Sequence, residues 1–140
     1  METSDVLRHQ RIKHLVASRT DDAASVSVGL WAQMAVQIVS IIGENGFHSL
    51  YARSVLLAQP QFPWLMIDPP LTGDGNRFAE LKKCFERQIP AQINEANGLL
   101  LITFTDILAS IIGEQLTGSI LSLAWGNDDA YRADTEFKHE

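Results

Sequence analysis

The chain has a single cysteine, Cys84, so it cannot close an intrachain disulfide. It is also short of basic residues, with 11 Lys and Arg against 17 Asp and Glu and a formal net charge of −6. That excludes the broad basic surface with which a general nucleic-acid binder displaces counterions from phosphates. The first twenty residues lack the apolar core of a signal peptide. No stretch alternates polar and apolar residues for long enough to specify a strand. Gly73-Asp74-Gly75 has neither the spacing nor the lysine of a phosphate-binding loop. The helical segments carry no Glu-x-x-His or His-x-x-x-His pair, so the usual metal-ligand spacing of a helical bundle is missing. No metal or cofactor is expected. One cysteine fits a reducing compartment, and the expected location is the cytoplasm.

Long apolar runs are present, and each is interrupted. Residues 26–43 contain Gln33 and Gln37, and residues 98–113 contain Asp106. The second run is also short for a hydrocarbon core of about 30 Å. Both read as core helices of a soluble protein rather than membrane spans. A chain of this length can bury roughly two-thirds of its unfolded surface, so one domain can hold itself together without staples.

The pattern predicts an all-α bundle of five to six helices in one domain, residues 1–126, followed by a polar acidic tail, residues 127–140. Ser4 starts a first helix over residues 4–19, with Leu7, Ile12, Leu15 and Val16 on its apolar side. Its basic residues, Arg8, Arg11, Lys13 and Arg19, are expected on a solvated face. Asp21 and Asp22 are placed to cap a long helix that is apolar on several faces as far as Ile42. Gly43 stops it, because glycine enters positive φ without steric cost. Asn45 is placed to cap a helix over residues 46–59, which Pro60 ends.

Residues 61–76 are rich in proline and glycine yet carry Phe62, Trp64, Leu65, Met66 and Ile67. A free linker would not be so apolar. This segment is expected to dock on its own bundle, the alternative being a second copy of the chain. Residues 77–88 then alternate as an amphipathic helix. Pro90 suits the first turn of an apolar helix reaching Ile112. Gly113 breaks it, and a last helix covers residues 114–125.

The string Ser-Ile-Ile-Gly-Glu occurs at residues 40–44 and again at 110–114, an offset of half the chain. Around each copy a shorter helix precedes a long apolar one, a Gly-Glu turn and another shorter helix. This reads as an internal duplication of a three-helix unit, with halves at about residues 1–60 and 71–126 and a pseudo-two-fold axis between them.

The candidate site residues are Asp106, His48, Arg53, Glu44, Glu114 and Trp64. An unpaired carboxylate within the apolar residues 99–108 would be costly, so Asp106 is expected to pair with Arg53 or His48 or to reach water. Its functional alternative is a ligand anchor or a proton-linked switch. Glu44 and Glu114 occupy matching places in the two repeats, with His48 near the first. Trp64 is an expected core or interface anchor. Cys84 lies beside an apolar helix face with no activating base in its neighbourhood and reads as a small hydrophobe.

These features rank a non-enzymatic interaction or regulatory module first, acting through helix-mediated contact with a protein partner or with a second copy. A helical bundle that senses an apolar ligand between its long helices comes second, with Asp106, Thr103 or Gln37 as polar handles. An enzyme ranks last, since no catalytic constellation is present. Neither nucleic acid nor a membrane is an expected partner.

Overall fold

Pro90 has no backbone N–H to lose and a fixed φ, and the fourth helix starts on it: α4 runs Pro90–Ile112. The other helices of this computed structural model are α1, Ser4–Ala17; α2, Ala23–Ala58; α3, Ala79–Glu86; and α5, Glu114–Trp125. The structure describes residues 4–17, 22–65 and 78–126, and these contain helices and no strand. The acidic tail, residues 127–140, lies outside the described residues, as do Met66 and Ile67.

α2 and α4 form the central pair. Each also packs against α5, α1 lies on α4 and α5, and α3 lies on α2. α2 and α4 are long and apolar enough to cross a membrane by length and composition. Here they turn Leu30, Trp31, Met34 and Ile38 of one, and Leu100, Leu101, Phe104 and Leu108 of the other, into one core. Five aromatic rings meet in that core. Trp31 stands edge-on to Tyr51 at 5.3 Å and to Phe104 at 5.2 Å between ring centroids. Phe47 lies 5.3 Å from Phe104, and Phe78 lies 5.4 Å from Tyr51. Such pairs contribute about 0.5–1.5 kcal/mol beyond the area they bury.

The two glycine stops are built alike. Gly43 has φ 86° and ψ 167°, and Gly113 has φ 99° and ψ 153°. Gly43 is the one non-helical residue inside α2, so its second limb resumes at Glu44 and needs no cap from Asn45. At the other break Thr117 supplies closure: its N–H and its hydroxyl both donate to the Gly113 carbonyl, at 3.1 and 2.8 Å. The expected cap at Asp22 is corrected as well. Asp22 precedes α2 in the left-handed region, with φ 50°, and its side chain makes no capping hydrogen bond. Residue 77 lies outside the described residues; α3 begins at Ala79, and Phe78, with φ −107°, precedes it in the aromatic core.

The apolar segment after α2 docks on its own bundle as far as it is described. Phe62 and Leu65 are buried in the core, and the Gln59 amide donates to the Leu65 carbonyl at 2.7 Å. Trp64 is half-buried and stands edge-on to Phe62 and Phe85, at 5.8 and 6.1 Å.

Two predictions follow from the packing of these segments. Trp64→Ala lowers stability by about 1–3 kcal/mol, the range of a partly buried aromatic truncation, while leaving the mass in solution unchanged. A melting curve and sedimentation of the same sample check it. The second concerns backbone alone. A Cβ at Gly43 or Gly113 would meet no other atom within 4 Å, but both have positive φ. Replacing either by valine therefore costs about 1 kcal/mol or more in chemical denaturation. Gly118→Ala adds a methyl group into equally open space but within α5, and it stabilises by about 0.4–1 kcal/mol.

Candidate functional site

The largest polar cluster among the described residues centres on Arg8, which the sequence pattern placed in water. The structure corrects this: the Arg8 side chain is only 5 % exposed. α1 buries the stripe Ile12, Leu15 and Val16, and Arg8 stands one turn before Ile12 on the same face. Its guanidinium therefore points between α4 and α5 rather than outward. Nε donates to Glu114 Oε2 at 2.7 Å and Nη2 to Glu114 Oε1 at 3.1 Å, a two-pronged pair. Nη1 donates to Thr105 Oγ1 and Asp106 Oδ1, both at 2.8 Å. Thr105 in turn donates to the Leu101 carbonyl at 2.8 Å, which fixes its oxygen toward the arginine.

Burial works against the charge on Arg8, but hydrogen bonds and charge from Glu114 and Asp106 outweigh it and hold the guanidinium pKa above its ordinary value. A raised pKa on a cation is stability present below the unfolded value and lost as pH climbs past the folded one. The Arg8 contribution is thus complete across the neutral range and fades only in strong alkali.

Asp106 does not pair with Arg53 or His48, as the sequence suggested. Its partners are Arg8 and His9, whose Nε2 donates to the same Oδ1 at 2.7 Å. Asp106 is 46 % exposed, so it also reaches water, while Glu114 is 29 % exposed. The other candidates are not drawn into this cluster. Arg53 and Glu44 are exposed and His48 is half-buried, all on the second limb of α2. Glu114 therefore joins Asp106, but Glu44 and His48 do not join them. The described residues contain no group of three His, Cys, Asp or Glu placed to hold a metal. Arg11 completes the fastening of α1: it donates to the Ser122 hydroxyl at 3.3 Å and the Gly126 carbonyl at 2.8 Å.

A second polar group lies in the core. Trp31 Nε1 donates to Asn97 Oδ1 at 2.8 Å, and Trp125 Nε1 donates to the Leu30 carbonyl at 2.9 Å. The Asn97 amide nitrogen and the Tyr51 hydroxyl have no hydrogen-bond partner among the described residues. Burial, with a smaller contribution from nearby Cys84, pushes the Tyr51 phenol up, so it stays neutral. Thr103 and Gln37, the other expected handles, are half-buried on α4 and α2.

Chemically, the Arg8 cluster is a fastening. One cation is shared by two carboxylates and a hydroxyl, and three helices are tied at one point. Comparison of the chain with protein-family models, with curated proteins and with solved structures finds no match.

The fastening can be checked by double-mutant cycles. Arg8→Met and Glu114→Gln couple by about 0.5–3 kcal/mol in urea denaturation, because Glu114→Gln alone leaves a buried guanidinium short of a counterion. Asp106→Asn costs less than Glu114→Gln, since water reaches Asp106. Asp106→Ala and Arg53→Ala are additive; coupling between them would restore the rejected pair.

Proposed function

We propose that this chain is a non-enzymatic interaction or regulatory module acting through helix-mediated protein contacts. The supporting observation is its surface. Val36 and Ile41 on α2, Ile111 on α4, and Leu116 and Leu123 on α5 are large apolar side chains left exposed. Such side chains in water suit a chain that covers them with a protein partner, and a contact surface would group several of them in one patch. The titratable groups that do converge, Arg8, His9, Asp106 and Glu114, satisfy one another and hold α1 in place, which suits a scaffold better than acid–base chemistry. We place the module in solution, in the cytoplasm, with the apolar faces of α2 and α4 turned to a common core.

The same reading extends to an internal duplication. The near-identical angles at Gly43 and Gly113 support it, and so does burial at the repeat offset. Met34, Ile38 and Leu50 are buried, as are their counterparts Phe104, Leu108 and Ile120; Ile41 and Ile111 are both exposed. The short helices dock reciprocally, α1 of the first half on α4 and α5 of the second, α3 of the second half on α2 of the first. An experimental structure in which the two halves do not superpose by a near-180° rotation overturns the duplication.

The interaction reading is tested with a photo-crosslinking residue placed singly at Val36, Ile111, Leu123 and, as a control, at Lys83 on the charged face of α3, in cells that make the protein. The expected outcome is discrete cross-linked protein at one or more apolar positions and none at Lys83. Absence of cross-linked protein at every position defeats the reading.

A further inference from the structure

We infer that the first limb of α2 is the surface by which two copies of this chain pair, an inference that rests on the interaction-module reading. Gly29, Ala32, Gln33, Val36 and Ser40 recur at spacings of three and four and lie on one helix face. Ala32, Gln33, Val36 and Ser40 are exposed, and Val36 is 68 % exposed. At the repeat offset, Ala35 and Val36 correspond to Thr105 and Asp106 of α4, the two residues that receive Arg8. One limb thus spends these positions on an internal fastening, whereas the other buries Ala35 and leaves the Val36 methyl groups in solvent.

Charge selects the occupant. The chain carries a net charge of −6, so two copies repel over most of their surfaces. From Ala23 to Gly43 there is no charged residue at all. A two-fold contact brings the same patch of both copies together, so any charge near the axis faces its own like. This face has none. At its centre, Gln33 can donate and accept at once and so bond its own counterpart. Gly29 and Ala32 let the two backbones approach. The nearest acidic residues, Asp22 and Glu44, stand eleven positions either side of Gln33. For Asp22 that is roughly 16 Å along the helix, and Glu44 lies past the break at Gly43, which ends the limb about 15 Å from Gln33; the screening length is about 8 Å at physiological salt. A contact centred on Gln33 leaves both outside its reach.

The test uses the full chain. Sedimentation equilibrium should show a reversible monomer–dimer equilibrium, and Val36→Asp should weaken it by about tenfold or more by setting two carboxylates near the axis. Its melting curve should stay native, because Val36 faces water in the monomer. Gln33→Cys should form a disulfide-linked dimer on mild oxidation, whereas Ser110→Cys, at the place on α4 that corresponds to Ser40, should not. The cysteine pair decides the matter even if Val36→Asp folds poorly. A chain that stays monomeric at every attainable concentration overturns the inference, as does a dimer indifferent to Val36→Asp with no cross-link through Gln33→Cys. If the chain is monomeric but a photo-crosslinker at Val36 captures another protein, self-pairing fails and the interaction-module reading survives. If it is monomeric and no position cross-links, both fail.

Discussion

Trp31 is the side chain on which the bundle is assembled. It is fully buried, stands edge-on to Tyr51 from the second limb of α2 and to Phe104 of α4, and touches Phe78 at the entrance to α3. Its indole N–H cannot be buried without a partner, and Asn97 of α4 supplies one. That single hydrogen bond fixes where along α4 the first limb of α2 must sit, since apolar contact alone tolerates sliding. The turn at Gly43 then matters because it is what returns Phe47 and Tyr51 to the same ring cluster. A glycine with positive φ is a backbone requirement of the aromatic core, not an ornament of the loop.

Boundaries were legible where the local backbone decides them. Pro90, Gly113 and Trp125 are bounds that follow from a missing N–H, a permissive φ and a closing glycine. The apolar faces of α2 and α4 could also be read, because burial follows helical spacing. Asp22 was misread because an acidic residue before a helix suits the dipole whether or not its side chain caps.

The candidate site was half legible. Asp106 and Glu114 stand out as carboxylates in apolar surroundings, and such residues need partners. The identity of the partner was not local information: Arg8 is separated from Glu114 by 106 residues. Charge on a short helix is ordinarily solvated, and that expectation hid the spacing of Arg8 with Ile12 and Leu15. Residues 8, 12 and 15 share a face, so an arginine there either buries its head or breaks the stripe. Burial requires acceptors, and the carboxylates of Asp106 on α4 and Glu114 on α5 are where they lie.

What Arg8 contributes is best understood as register. Removing the Arg8 guanidinium from water is costly, and its attraction to two partly exposed carboxylates offsets that cost without a large surplus, so the cluster is poor evidence for added stability. Its geometry is another matter. α1 has only fourteen residues and a short apolar stripe, Ile12, Leu15 and Val16, which could settle on α4 one turn away with little loss. A fork bonded to Glu114 by two nitrogens and to Thr105 and Asp106 by a third has no equivalent position one turn up or down. α3 is held instead by large rings with different partners, Phe78 against Trp31 and Tyr51 and Phe85 against Trp64. The two short helices are therefore held by different physics, one by a directional ionic fork and one by aromatic shape.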